Sequence, residues 1–508
     1  MSNKIKNFSE LKVILEKLKL SGQKIVQCHG VFDLLHPGHI RHFKEAKALG
    51  DKLVVSVTPD CYVNKGPGRP AFNEVLRLET LASLSTVDYV VLNDAPDAIS
   101  AIEKIQPDVY VKGQEYQDHA SDITGKIAQE AAAVESFGGS VYYSKDIVFS
   151  SSALINKYIM PHPPEVTAFI ERVKKSFSLD EIIEQIHSLQ SLKATIVGDA
   201  ILDEYQYVEP LGQTGKGLHM VASLRDKELF LGGSLILANH MAQFVSEVNL
   251  VTALGKECPH LEFIRSKLDP KVNLLPVYIE KKPTLVKKRY VFQDGKNLNK
   301  LFETYSFSHQ MMVDRQSQAV LQQLQKAVSS SDFLLVSDFG NGFINDSMVE
   351  EISRQPVFLA LNTQTNSGNR GYNMITRYLR ADYISLNEPE LRLAFHDRDQ
   401  ELSKIVQMLF AKMRCRALSV TRGVNGVLCF DQKEKTLMVP AFVSETVDRI
   451  GAGDSYLALS SLCQAKGCST MITGLIGSLA AALGVQTVGN KEAVQKDKLV
   501  KFLTRLMK

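Results

Sequence analysis

The sequence predicts an α/β protein built from two units in tandem. Three observations carry that prediction. Short apolar strands alternate with amphipathic helices through the first third of the chain. A proline-rich break, Met160-Pro161-His162-Pro163-Pro164, then interrupts the rhythm. A second alternating pattern runs from there to the C-terminus, with short glycine-containing segments that predict a small extra sheet. A chain of 508 residues is also too long for one ordinary core.

In the first part, Lys24–Cys28 reads as a short apolar strand. His39–Leu49 reads as a helix, with Ile40, Phe43, Ala46 and Leu49 on one face. Lys52–Val57, Asp88–Leu92, Val109–Val111 and Ser140–Tyr143 follow as strands. Asn73–Ser83, Ala98–Ile105 and Lys126–Phe137 are the helices between them. This βαβα order predicts a parallel, doubly wound sheet. Gly138-Gly139 marks the last helix-to-strand turn. The prolines favour an extended spacer, so residues 1–160 are expected as one domain. Residues 161–192 are expected as linker and connector helix, the helix covering Glu165–Leu192, and 193–508 as the second domain.

The second pattern opens with the strand Ala194–Val197. Tyr205–Phe230 and Pro276–Val291 read as strands of a small sheet inserted beside the main one. Phe333–Val336, Val357–Leu361, Tyr383–Ser385, Ala417–Thr421 and Gly426–Phe430 continue the main sheet, and two helices rich in Ala, Leu and Gly run from Asp454 to about Gly484.

Composition narrows the class. Apolar residues are 44%, charged residues 23% and net charge +3, which gives no electrostatic reason to expect a nucleic-acid or membrane partner. No run of about 18 apolar residues is present, and the polar Met1–Glu10 lacks a signal-peptide core. Seven scattered cysteines without CxxC spacing fit reduced thiols, hence a cytoplasmic protein.

Two short motifs carry chemistry. His36-Pro37-Gly38-His39 follows a strand and opens a helix. A helix N-terminus offers free N–H groups and a positive dipole end, which attract phosphate. Two histidines three apart can donate to one phosphate group, and Gly38 lets the backbone come close. Such a site needs no protein nucleophile: a substrate phosphate oxygen attacks a nucleoside triphosphate at its α-phosphorus. The plain alternative is a pair of surface histidines beside a turn.

The second motif is Gly451-Ala452-Gly453-Asp454, before an apolar helix. The glycine turn presents an anion hole formed by Gly451, Ala452 and Gly453. Asp454 there suits a general base that takes a hydroxyl proton during phosphoryl transfer. The plain alternative is a helix-capping Asp.

The flanking residues decide between these readings. Residues 24–158 resemble the nucleotidyltransferase superfamily that includes cytidylyltransferases and heptose 1-phosphate adenylyltransferases. The resemblance rests on Cys28–His39, Ala46–Leu53, Thr58-Pro59-Asp60, Arg69-Pro70, Val111-Lys112-Gly113 and Ser150-Ser151-Ser152. It implies a Rossmann-like nucleotidyltransferase domain in which His36 and His39 serve the triphosphate and transition state. Gly30, Phe32, Lys47, Lys65, Arg77 and Ser150–Ser152 would bind nucleotide or phosphate, and Lys112 and Gly113 would contact substrate.

Residues 193–500 resemble ribokinase-like (PfkB) sugar kinases, through Gly198–Asp203, Leu231-Gly232-Gly233, Asn387-Glu388-Pro389-Glu390, Thr421-Arg422-Gly423, Gly426 and Asp448–Tyr456. The resemblance implies a ribokinase-like α/β domain with a β lid that often mediates dimerisation. Asp203, Gly232 and Gly233 would bind the acceptor. Asn387, Glu390, Thr421, Gly423 and Gly426 would serve ATP, with Glu390 near Mg2+. Three positions depart from the family pattern: Ile236 for Asn, Ile450 for Thr, and Asn362-Thr363-Gln364 for an Asp-Pro-Lys-like segment.

Together the halves resemble the bifunctional heptose 7-phosphate kinase / heptose 1-phosphate adenylyltransferase family with the domain order reversed. The resemblance implies two steps toward a nucleotide sugar, with sugar phosphate, nucleoside triphosphate and Mg2+ as the small-molecule partners and a homodimer formed through the lid. Two alternatives remain open at this point. One is a cytidylyltransferase for a polyol or glycerol phosphate with an associated kinase. The other is a transferase carrying a catalytically silent kinase fold.

Overall fold

The computed structural model describes residues 3–63, 65–114, 127–144, 162–215, 217, 219–280, 283–294, 297–306, 312–432, 436–443 and 446–508. Its contacts divide the chain into two units. One comprises Met1–Pro163 with Val500–Lys508, the other Pro164–Leu499.

The first unit is a six-stranded parallel sheet: β1 (Ile5–Lys6), β2 (Ile25–Gly30), β3 (Lys52–Val57), β4 (Tyr89–Leu92), β5 (Val109–Gly113) and β6 (Ser140–Ser144), in the order β1-β4-β3-β2-β5-β6. The strands are rich in Val, Ile and Leu because helices cover both faces. The edge strand β1 and the helix Phe8–Leu20 were not expected from the sequence. That helix is set by an Asn7–Glu10 capping box and buries only Leu11 and Leu15. Strand order reverses at β2, which has β3 on one side and β5 on the other. Doubly wound sheets bind ligands at the carboxyl ends of such strands, and the histidine motif follows β2 directly.

The second unit contributes β7 (Lys193–Gly198), β8 (Ala200–Gln213), β9 (Met220–Gly233), β10 (Glu247–Gly255), β11 (Val272–Ile279), β12 (Leu285–Asp294), β13 (Asn297–Ser306), β14 (Phe333–Asp338), β15 (Phe358–Thr363), β16 (Arg380–Asn387), β17 (Arg414–Thr421), β18 (Val427–Asp431) and β19 (Leu437–Val439). Nine of them form the main sheet, β11-β10-β7-β14-β15-β16-β17-β18-β19, parallel as far as β17 and antiparallel beyond. The other four form the small sheet β13-β12-β8-β9.

One expectation needs correction here. Pro276–Ile279 is not part of the small sheet. It ends β11, which pairs in parallel with β10 from Val248↔Val272 to Gly255↔Ile279. Pro276 is tolerated because β11 is an edge strand. The expected connector helix is two helices, Pro164–Ser176 and Leu179–Ser188, separated at Ser178, whose hydroxyl caps the second.

The helices Ala452–Ala465 and Thr470–Gly484 are almost wholly buried, which explains their Ala, Leu and Gly content. All seven cysteines are free. No helix among the described residues is long and apolar enough to cross a membrane.

Candidate active sites

In the first unit, β2 ends at Gly30 and the chain turns through Phe32, which adopts the left-handed conformation at φ 48°. A Cβ on Gly30 would lie 3.1 Å from the Phe32 ring. That ring packs edge-on to His39, 5.5 Å between centroids. His36 is the N-cap of the helix Pro37–Ala48, two residues earlier than the sequence suggested, because proline suits the first helical position. Gly38 is the second residue of that helix. The His36 and His39 rings stack at 4.0 Å, so both face one spot at the helix N-terminus.

Burial holds both imidazoles below their ordinary range. His39 falls to about 3, with His36, His42 and Lys65 adding to the effect. Both rings are therefore neutral at pH 7, and each still carries one N–H to donate. A polyphosphate at this spot would reverse that electrostatic push.

Lys65 belongs to the same electrostatic cluster. Burial lowers its ammonium to about 8, against the pull of Asp33 and with a further push from Arg69. Asp33 itself is committed. It pairs with Arg69 at 2.9 Å and accepts from the amides of Ala71 and Phe72, which fixes the loop carrying Lys65. Gly113 ends β5, whose register with β2 brings it level with Gly30.

Three candidates take other roles. Lys47 lies in the last turn of the helix that His36 begins. It donates to Asp88 and to the Asp51 carbonyl, each at 2.6 Å, so it fastens that end to the sheet. Arg77 is buried, and its guanidinium donates to the carbonyls of Phe72, Val31 and Thr58 and to Asp60. It clamps the loops around the site and does not present a free cation to a phosphate. Lys112 pairs with Glu130 at 2.6 Å, and Tyr110 also donates to Glu130. Ser150, Ser151 and Ser152 lie outside the described residues.

In the second unit, the carboxyl ends of β14, β15, β16 and β17 converge on the glycine turn. Gly451 sits at φ +85°, a left-handed backbone that favours glycine, and a Cβ there would lie 2.0 Å from Asn490 Oδ1 and displace that side chain. A cavity of about 210 Å³ opens beside it, lined by Asp203, Lys287, Arg289, Gln364, Glu390 and Asp454 among others. Gln364 donates to Asp454 Oδ1 at 3.3 Å. Burial and the nearby Asp203 push the Asp454 carboxyl up to about 7, while Gln364, Lys287 and Arg289 resist. A carboxyl at that value can accept a proton near neutral pH.

Asp203, on β8, forms a buried ion pair with Arg289 of β12. The paired glycines are steric necessities. A Cβ on Gly232 would lie 2.6 Å from Asp203 Oδ2, and one on Gly233 2.5 Å from the Asp199 carbonyl. Asn387 and Glu390 form a capping box at the start of the helix Glu388–Ala394, with Glu390 also accepting from the Thr365 amide. Burial raises the Glu390 carboxyl to about 7 against these hydrogen bonds.

A second, mostly apolar cavity of about 340 Å³ adjoins the first. Gly423, Val424, Gly426, Phe442, Tyr456 and Val485 line it, and Asn387, Thr421 and Gly453 line both cavities. Gly426 sits at φ +75°, with its Cβ position only 2.1 Å from the Val439 carbonyl. The pair of cavities suits a nucleotide whose base lies in the apolar chamber and whose phosphates reach Asp454.

The departures from the family pattern resolve differently. Ile236 is buried in the helix Ser234–Ala242. Ile450 lines the cavity and packs against the Tyr205–Phe230 cluster. Gln364 becomes a direct partner of Asp454. Sequence reasoning missed Arg289 and Phe339. The signal available was spacing: Lys287 and Arg289 are two apart on one strand and share its inner face.

Comparison with known proteins agrees with this division. Residues 28–157 match the cytidylyltransferase-like family. That half is 41% identical over 140 residues to the bifunctional protein HldE of Geobacter metallireducens, 27% of each chain. It is 42% identical over 136 residues to the protein of the same name from Shewanella sp. strain ANA-3, covering 26% of this chain and 27% of that one. The aligned stretch thus spans about a quarter of those relatives. In fold, phosphofructokinase-2 from Escherichia coli, solved with substrates and products, superposes with a TM-score of 0.50 at 14% identity, covering 62% of this chain and 100% of that one. Both halves fall in enzyme families, the transferase half N-terminal to the kinase half. The pfkB family carbohydrate kinase profile matches residues 232–497, just over half of the 508, and the chain belongs to that family.

Proposed function

We propose that this chain catalyses two steps toward a nucleotide sugar. In the kinase step ATP phosphorylates a sugar phosphate, taken to be a heptose 7-phosphate at its anomeric hydroxyl. In the transferase step a nucleotidyl group, taken to be AMP from ATP, joins a sugar 1-phosphate and pyrophosphate leaves. The observation that carries the kinase reading is Asp454, pushed to about 7 where the acceptor cavity meets the apolar chamber.

In the kinase step the acceptor hydroxyl loses its proton to the Asp454 carboxylate as its oxygen bonds to the γ-phosphorus. The bond from that phosphorus to the β–γ bridging oxygen breaks, and ADP leaves. Backbone N–H groups of Gly451, Ala452 and Gly453 face the developing charge. Asp203, held by Arg289, would orient the acceptor, and Thr421, Gly423 and Gly426 the nucleotide.

In the transferase step an oxygen of the sugar 1-phosphate bonds to the α-phosphorus, and the bond to pyrophosphate breaks. His36 and His39 donate to the phosphate oxygens as charge builds there, with Lys65 as the nearby cation.

Mg2+ fits the kinase cavity. Glu390 is buried and Asp454 half-buried, the two carboxyls lie within electrostatic reach, and both are raised to about 7, a combination that a dication would relieve. The described residues contain no cluster of three or more His, Cys, Asp or Glu side chains suited to a metal. Glu390 would therefore hold the ion together with substrate phosphates, and the ion would neutralise phosphate charge.

We further propose a cytoplasmic homodimer joined through the small sheet, with no nucleic-acid or membrane partner. That sheet exposes Leu211, Met220, Leu224 and Phe302, each more than half accessible, and a second copy would cover such apolar side chains. The test of function is a product screen by mass spectrometry, pairing ATP and CTP with heptose 7-phosphate, sugar 1-phosphates and glycerol phosphate. A sugar bisphosphate and an ADP-sugar are expected. A CDP-polyol as sole product would favour the cytidylyltransferase alternative, and absence of any phosphorylated sugar would favour the silent-kinase one.

A further inference from the structure

Residues Val500–Lys508 belong to the first unit, the one that carries His36 and His39, although the whole of the kinase sequence lies between. They make up most of the helix Lys496–Met507. Val500, Phe502, Leu503 and Leu506 are buried there, and so is Arg505 in the last turn. Two of these side chains close on one loop of the same unit, Lys65–Arg69. Gly66 sits at φ +83°, and a Cβ on it would lie 2.5 Å from the Phe502 ring. The Arg505 guanidinium lies 4.8 Å from the centre of that ring, and its Nη1 donates to the Pro67 carbonyl at 2.7 Å.

The loop has little shape of its own. Gly66 and Gly68 both adopt left-handed backbone, which glycine enters and leaves at low cost, so contacts from outside must set it. Asp33 holds one end through Arg69. Phe502 and Arg505 hold the middle. Lys65 opens the loop directly before Gly66 and lies within electrostatic reach of His39. A shift of the Gly66 backbone therefore carries the Lys65 ammonium with it. The charges gathered here are mostly of one sign. Arg69 and Lys508 push on Lys65, which Asp33 supports, and Arg69 pushes on Arg505, whose guanidinium burial lowers to about 10. The Phe502 ring and the Pro67 carbonyl offset part of the cost of burying Arg505, and an arriving polyphosphate would offset more.

We propose that Phe502 and Arg505 are positioning residues of the nucleotidyltransferase site, holding the Lys65–Arg69 loop so that Lys65 meets the nucleoside triphosphate beside His39. The proposal rests on the transferase reading above. The ring fixes the Gly66 backbone, the guanidinium fixes the Pro67 carbonyl, and both act through Lys65.

The test measures kcat and KM for ATP in pyrophosphate release by the full chain, with heptose 1-phosphate as acceptor, and sugar phosphorylation in parallel. Arg505→Met should raise KM for ATP roughly tenfold with kcat changed far less. Arg505→Lys should restore most of that loss, because one donor serves the carbonyl, and Phe502→Ala should act in the same direction as Arg505→Met. Lys65→Met/Arg505→Met should show the KM of Lys65→Met alone, since a contact that acts through Lys65 then has nothing left to position. Sugar phosphorylation should match wild type in every variant. The proposal is overturned if Arg505→Met leaves KM for ATP unchanged, or if the effects of Lys65→Met and Arg505→Met multiply in the double variant. It is also overturned if sugar phosphorylation falls in step with pyrophosphate release, which would mark a general structural role. Wild type that releases no pyrophosphate from ATP or CTP with any sugar 1-phosphate or glycerol phosphate would instead remove the transferase reading itself.

Discussion

Replacing Asp454 by Asn should destroy the kinase and stabilise the fold. The carboxyl moves from 3.8 to about 7 on folding, chiefly through burial and the proximity of Asp203. A group whose folded pKa is raised binds its proton more tightly in the native state. Stability therefore falls as pH rises from about 4 to about 7 and stays low above that window. The full shift corresponds to ~4 kcal/mol at pH 8, as an upper bound. Asn cannot ionise and keeps an oxygen to accept from Gln364, so it removes that penalty without leaving Gln364 unpaired. Urea unfolding at pH 8 should show a gain of a few kcal/mol for Asp454→Asn, shrinking toward zero by pH 4. Sugar phosphorylation should fall ~10²–10⁴-fold, the usual contribution of a positioned base. In the wild type the rate should climb about tenfold per pH unit up to a plateau just above pH 7. A variant that keeps its kinase activity, or that is less stable than wild type at pH 8, would show that Asp454 is not a base with a raised pKa.

Gly451→Ala forces a Cβ to within 2.0 Å of Asn490 Oδ1 in a left-handed backbone, so steady-state kinetics should show kinase activity reduced at least tenfold while nucleotidyl transfer persists. Arg77→Ala removes four hydrogen bonds made by a buried guanidinium and should destabilise the first unit by ~2–4 kcal/mol in thermal unfolding. Lys65→Met should raise KM for the nucleoside triphosphate in a pyrophosphate-release assay, whereas Lys47→Met should leave that KM unchanged and cost only stability, because Lys47 pairs with Asp88 at the far end of its helix.

The fold was legible where periodicity is strong. The strands β2, β3 and β4 show runs of Val, Ile or Leu, β5 and β6 combine Val with Tyr, and the glycine turns punctuate them. The helix Phe8–Leu20 was not legible, because its face buries only two leucines among many lysines. The segment Pro276–Val291 read as small-sheet strands, yet its first four residues end β11, an edge strand where Pro276 has no ladder bond to lose.

The sites were legible as motifs and opaque as charge networks. His36, His39, the Gly451–Asp454 turn and the paired glycines sit where their spacing implied. Arg77 and Lys47 carry the same charge as Lys65, and only tertiary partners separate a clamp from a free cation. Arg289 and Lys287 come from a strand far in sequence from both Asp203 and Asp454. Their meeting depends on β8 and β12 pairing in parallel, from Leu285↔Ile201 to Val291↔Tyr207, which no local pattern encodes.

Two independent phosphorus-transfer sites on one chain should be separable by single substitutions. The most direct measurement assays both reactions in the wild type, His39→Ala and Asp454→Asn, following sugar bisphosphate and nucleotide sugar by mass spectrometry from separately supplied acceptors. His39→Ala should lose only nucleotidyl transfer and Asp454→Asn only phosphorylation. If either substitution abolishes both products, or if neither product depends on its assigned residue, the chain does not hold two independent sites at these residues.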